Sequence, residues 1–370
     1  MTRLRGVLLG LGALVVLAGL ERVVVPALSQ AAAPVFAVDP RWPQLPPQWT
    51  LGQVTGVAVD AADHVWVLHR PWSLTDDEKA QNPDAACCTA APHVLEFDAA
   101  GNYLAGWGGP GAGYEWPEDE HAIHVDHKRH VWITSAGGPR LRDGQENMIL
   151  KFTSDGRFLL QIGKRGASKG SLDTANVNNA ADIYVDPKSN ELYVADGYVN
   201  RRVIVYDADS GAFKRMWGAY GKPPDDAASK ALALDGPPPA QFNLVHGIRV
   251  SHDGKVYVND RRNNRLQVFS TAGVFEREIF IDRKTRLLGT SFAVGFSPDA
   301  QQQFLYLADA GNGRIRIYDR ASLTEVGAFG RIGRYAGQFI FLHALAVDSK
   351  GDIYTAEVGT GRRVQKFVRR

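Results

Sequence analysis

The chain has little with which to cross-link itself, cross a membrane repeatedly or grip a polyanion. Only two of its 370 residues are cysteine, and they are adjacent. Cys87 and Cys88 therefore exclude a long-range disulfide framework and are read as loop thiols or a local clip. Charge of one sign is missing too: 42 Lys+Arg against 40 Asp+Glu leave a net +2. With no basic block, the footprint that nucleic acid requires is absent. No nucleophile elbow, paired-cysteine motif or Ser/His/Asp spacing is present, and the glycine-rich stretch 108–113 follows a strand without opening a helix, so it reads as a turn. The one long uncharged apolar run, 6–20, lies behind Arg3 and Arg5 and ahead of a small-residue stretch at 27–33. Residues 1–33 read as a signal peptide or, uncleaved, as an N-terminal anchor. The mature protein is accordingly expected outside the cytoplasm, periplasmic or extracellular, and at a membrane only if the leader stays.

What the chain has in quantity is glycine (38), proline (19) and aromatics (10%) on a 45% hydrophobic background, a composition suited to short strands and tight turns. One phrase recurs: a short strand, a turn rich in Asp, Gly, Lys and Asn, then a strand with an aromatic near its start. The first strands are 55–60, 121–126, 181–186, 246–251, 292–297 and 343–348; the second begin near 64, 130, 191, 255, 304 and 352. Alternating apolar residues between such turns mark half-buried antiparallel strands. A third and fourth strand per phrase, at a period of roughly 45 residues, give an all-β, six-bladed β-propeller over 34–370. The sixth phrase lacks its fourth strand, and residues 35–38 are expected to supply it. Insertions at 71–92, 136–147 and 221–240 are expected as loops on one face.

Stacking the first strands in register aligns Thr55, His121, Ala181, His246, Phe292 and His343. Histidine occupies alternate blades, and first strands line a propeller's channel, so three imidazoles converge on its axis. Three histidines with an open fourth position suit catalytic zinc, and nitrogen donors favour Zn, Cu, Ni or Fe over Ca. The denser run His124, His127, His130 straddles strand, turn and strand and is read as solvated turn decoration. A second column, where the second strands end, holds His69, Ser135, Asp196, Asp260, Asp309 and Glu357. Its acids are read as structural partners of Arg202, Arg265, Arg314 and Arg363. Arg70, Arg261 and Tyr198 break this pattern just past strand ends on the histidine face, where a guanidinium fork can hold a carboxylate and a phenol can move a proton.

These residues resemble NHL-repeat propellers, and more closely the peptidyl-α-hydroxyglycine α-amidating lyase (peptidylamidoglycolate lyase) family. The stretches that carry the resemblance are 52–60 through His69-Arg70, 195–200 (ADGYVN), and 242–246 (FNLVH) through Asp260-Arg261. The resemblance implies that His121, His246 and His343 bind zinc, that Arg70 and Arg261 hold substrate, and that Tyr198 transfers a proton. The implied reaction is cleavage of the N–C bond of an α-hydroxyglycine to an amide and glyoxylate. Three departures stand out: Val199 replaces a cysteine beside the tyrosine, Ala344 replaces the aspartate that serves a structural calcium, so calcium is doubtful, and the hydroxylating monooxygenase is not on this chain.

The substrate is thus expected to be a small molecule or a peptide C-terminus, bound by a monomer. Two other readings compete. One is a non-catalytic propeller binding a protein or ligand on its loop face; the other is a metal-dependent lactonase or hydrolase, against which the nitrogen ligand set argues.

Overall fold

The computed structural model describes residues 32–78, 88–136, 146–228 and 235–370. Residues 1–31, where the leader is expected, Cys87 and the interiors of the three insertions lie outside the described residues. Cys88 is disulfide-bonded. Among the described residues no helix is long and apolar enough to cross a membrane.

Six four-stranded antiparallel sheets form the blades of a β-propeller. Their innermost strands are Gln53–Val59, Glu120–Val125, Asp182–Asp186, Val245–Val250, Ala293–Phe296 and Leu342–Val347. Each packs against its neighbour, and that of blade 6 packs against that of blade 1, which closes the ring. The recurrent phrase has a local cause. Asp60 Oδ1 accepts the backbone N–H of Ala62 at 2.9 Å and of His64 at 3.0 Å, while Oδ2 accepts Trp66 Nε1–H at 3.2 Å. Asp126 does the same for Lys128, His130 and Trp132, each at 2.9 Å. One carboxylate thereby shapes the turn and satisfies the buried indole of the next strand.

The sixth blade is completed by Phe36–Asp39, which pairs antiparallel with Arg363–Arg369, one residue beyond the 35–38 expected. Phe36 stacks on Phe329 of blade 5 at 4.9 Å between ring centroids, so the closing strand also caps the neighbouring blade.

The second-column acids make the expected structural pairs in three blades: Arg202 with Asp196, Arg265 with Asp260, Arg363 with Glu357. Blade 5 corrects the fourth. Asp309 pairs with Arg316 at 2.8 Å, not with Arg314. Residues two apart in a strand share a face, but Arg314 sits at the strand's exposed start, and only Arg316 is buried with the carboxylate.

Candidate functional site

The three histidines sit at irregularities of their strands. In blades 2, 4 and 6 the pairing of the inner strand with the second slips between Glu120 and Ile123, Val245 and Gly247, and Leu342 and Ala344. A bulge leaves one residue unpaired and re-aims its side chain, and here it turns His121, His246 and His343 onto the axis. Small residues follow each one: Ala122, Gly247 and Ala344. A Cβ on Gly247 would lie 2.7 Å from the carbonyl oxygen of Phe292, so the next blade approaches too closely for a side chain.

The rings converge, with centroids 5.2 Å apart for His121 and His246, 4.6 Å for His121 and His343, and 4.9 Å for His246 and His343. One ligand nitrogen from each lies within 4.8 Å of the others. Every Nδ1 is committed to a backbone carbonyl: His121 to Ala181, His246 to Phe292, His343 to Thr55, at 2.6, 2.9 and 2.7 Å. Because Nδ1 must donate, each neutral ring carries its lone pair on Nε2. The Nε2 of His246 is buried with no partner, the mark of a ligand atom awaiting an acceptor of electrons. Burial holds all three well below the usual imidazole range, His343 down to about 3, and the charges of Arg70 and Arg261 push it the same way. The donor set and its protonation state fit zinc.

Tyr198 and two arginines complete the site. The Tyr198 hydroxyl lies 3.0 Å from His121 Nε2 and accepts from Arg261 Nη1 at 3.2 Å. Arg70 is anchored by Nε to the Glu120 carbonyl at 2.8 Å and by Nη2 to that of Ala136 at 2.9 Å. Arg261 is anchored by Nε to the Leu288 carbonyl at 2.7 Å and lies 4.0 Å over the Phe292 ring. Both guanidiniums are buried, and burial lowers the pKa of each, yet neither makes an ion pair among the described residues. The nearby charges of Asp119 and Glu120 offset part of the burial of Arg70, whereas no carboxylate does so for Arg261, so the buried pair suits an anionic ligand.

All six residues singled out in the sequence thus meet in one place. They line a cavity of about 340 Å³ or the channel directly beneath it. The sequence reading passed over Gln53, whose Oε1 accepts from Arg70 Nη1 at 3.3 Å, and the apolar wall of Leu244, Leu288 and Phe341. Leu288 and Phe341 precede the inner strands of blades 5 and 6, where no repeat signal marks a position. A second cluster with metal-ligand spacing, Asp60, His64 and Glu96, already has its cation, since Arg129 Nη2 lies 3.1 Å from Glu96.

The NHL repeat family model matches residues 242–269, the third of the stretches that carried the resemblance. Human NHL repeat-containing protein 3 is 26% identical over 344 residues, covering 90% of this chain and 84% of that protein. Peptidyl-α-hydroxyglycine α-amidating lyase 2 of Drosophila melanogaster is 26% identical over 359 residues, 92% of this chain and 77% of that one. Among solved structures, a streptogramin B lyase aligns with a TM-score of 0.52 at 13% identity, over 90% of this chain and 98% of that chain; the likeness concerns the fold alone. The resemblance to NHL-repeat propellers, amidating lyases among them, is therefore carried by the repeat, the blades and these distant relatives.

Proposed function

We propose that this protein is a zinc-dependent lyase that cleaves the N–C bond of an α-hydroxyglycine-like carbinolamide, releasing an amide and glyoxylate. The observation that carries the reading is the placement of the Tyr198 hydroxyl at a histidine lone pair, beside two buried guanidiniums that make no salt bridge among the described residues.

His121, His246 and His343 would hold the metal, which when bound supplies Lewis acidity at the substrate oxygen. The chain's own residues do the rest. Arg70 and Arg261 neutralise and orient the glycine carboxylate, their forks held by backbone carbonyls so that little ordering is left to binding. Tyr198, its oxygen fixed by Arg261, takes the carbinol proton. As the C–O bond becomes a carbonyl and the C–N bond breaks, the same proton is delivered to the leaving amide nitrogen, so no other reactant is consumed. Leu244, Leu288 and Phe341 cover the acyl side and keep water away.

A non-catalytic propeller binding a partner on its loop face is the second reading, supported by the similarity to NHL repeat-containing protein 3, whose name states a repeat and no activity. The two separate in one assay. With zinc loaded to one per chain, release of glyoxylate from an N-acyl-α-hydroxyglycine, slowed about 100-fold in Tyr198→Phe, supports the lyase. No release at full loading overturns it. Export, the other proposal from the sequence, is tested by the N-terminal residue of the protein recovered from its native cell.

A further inference from the structure

We infer that the opposite mouth of the central channel is a second binding site, for a small organic monocarboxylate. The inference is independent of the proposed lyase reaction.

Three positions beyond the histidines, the inner strands form another column. Ala58, His124, Tyr184, Arg249, Gly295 and Ala346 each face an aromatic of the adjacent strand: Trp66, Trp132, Tyr193, Tyr257, Tyr306 and Tyr354. The column is lopsided. Consecutive blades 2, 3 and 4 contribute His124, Tyr184 and Arg249, whereas blades 5, 6 and 1 contribute only Gly295, Ala346 and Ala58. Three missing side chains leave a cavity of about 170 Å³ with a polar wall on one side.

The polar wall is built and under-used. Asp182 accepts the backbone N–H groups of Ile183 and Ile248 at 2.9 and 3.0 Å and pairs with Arg249 Nη1 at 2.6 Å. This fixes the guanidinium, whose Nε and Nη2 have no acceptor among the described residues. Tyr184 Oη likewise has none, and its ring lies 5.9 Å from the Arg249 Cζ. Unlike the solvated turn residue its spacing suggested, His124 lies within the inner strand; its ring packs on Tyr184 at 5.1 Å, and its Nε2 is buried without a partner. Gln302 Oε1 is held by the His252 N–H at 2.7 Å, which leaves its Nε2 uncommitted. No carboxylate lines this cavity. A wall of unspent donors calls for an acceptor with at least two lone-pair sites in one plane, which a carboxylate supplies to an arginine edge. The remaining lining, with Val59, Phe296 and Val347, suits a short aliphatic tail and excludes a second charge. Because the Arg249–Asp182 pair is neutral as a whole, recognition rests on directed hydrogen bonds, and a Kd of about 1 mM is the expected scale.

The test is titration of the folded protein with propionate, observed on the histidine ring resonances by NMR, the His124 signal being assigned by its loss in His124→Asn. A saturable shift of that signal is expected in the wild type and in Arg261→Met alike, which separates this mouth from the histidine face. Tyr184→Phe, a change that keeps the packing, should weaken it about tenfold. The paired change Arg249→Met with Asp182→Asn leaves no unpaired buried charge and should abolish it in protein that still melts cooperatively. The inference is overturned by the absence of a saturable His124 shift, by an equal shift with chloride, or by a shift that survives the paired change.

Discussion

His343 of blade 6 donates its Nδ1–H to the carbonyl oxygen of Thr55 in blade 1 at 2.7 Å, across 288 residues of sequence. Thr55 is the residue that holds the histidine's column position in the next blade. His121 and His246 make the same bond to the same position in blades 3 and 5, Ala181 and Phe292. Site geometry and ring closure are therefore one device: the bonds that lock the blades together also fix three tautomers and turn three lone pairs inward.

Metal content follows directly. Purified protein should carry about one zinc per chain by mass spectrometry, with His246→Ala and His343→Ala losing nearly all of it while keeping their far-ultraviolet spectrum. Because the site exists only in the folded chain, excess zinc at about 1,000 times Kd should stabilise it by about 4 kcal/mol. A melting temperature unmoved by zinc or chelator would sink the metal assignment.

The two arms of the site should separate kinetically. Tyr198 is only partly buried, and its one anchoring donor is Arg261, so Tyr198→Phe removes a proton carrier and little else. It should lower kcat about 100-fold with KM nearly unchanged and zinc retained. Arg261→Met, which removes a carboxylate anchor, should act chiefly on KM, raising it by about tenfold or more. If both variants move kcat and KM together, the division of roles is wrong.

The blades were legible because each repeat names itself: a turn-shaping aspartate, replaced by Ser251 and Ser297 in blades 4 and 5, then an aromatic two or more residues into the next strand. The histidine column was legible for the same reason, since a repeat turns sequence register into spatial register. What the repeat could not reveal was how the histidines aim. That depends on bulges marked only by the small residues Ala122, Gly247 and Ala344, a pattern that also occurs where no bulge forms. The apolar wall and the lopsided lower column were hidden because each depends on what several blades contribute at one depth, and no single stretch states it. Arg316 replaced Arg314 because burial, rather than nearness in sequence, decides which arginine an acid in this position keeps.

Acid should destabilise the fold through a histidine outside the metal set. His69 is fully buried, with Nδ1 accepting the Gly52 N–H at 3.1 Å and Nε2 donating to the Pro92 carbonyl at 2.9 Å. Burial, then the neighbouring His93, pushes its pKa down to about 4 from 6.5. Between these values the unfolded chain binds the proton that the folded chain refuses, so stability is full above pH 6.5 and falls as pH drops toward 4. The slope is about 1.4 kcal/mol per pH unit, a loss of about 3 kcal/mol in all. Urea unfolding between pH 7 and 4.5 should show a slope shallower by that amount in His69→Gln. Identical slopes would mean that His69 is not the group refusing protonation.

The buried acid beside the substrate-side arginine should matter to folding rather than to chemistry. Asp260 and Arg265 have no exposed side-chain surface and meet at 2.8 Å. The carboxylate also accepts the Asn243 backbone N–H at 2.8 Å and Asn263 Nδ2–H at 2.7 Å. Removing one partner strands the other's charge in the interior, so Asp260→Ala should cost about 3–5 kcal/mol. Arg265 also donates to the carbonyls of Pro239 and Gln241, which tie the 235–241 segment to the blade. Arg265→Met should therefore lose a similar amount and expose that segment to proteolysis. Arg261 is held by its own bond to the Leu288 carbonyl, so at a temperature where Asp260→Ala remains folded, its KM should stay within about twofold of the wild type. A large rise in KM in the folded variant would show that Asp260 positions Arg261, and the pair would then belong to the site instead of to the scaffold.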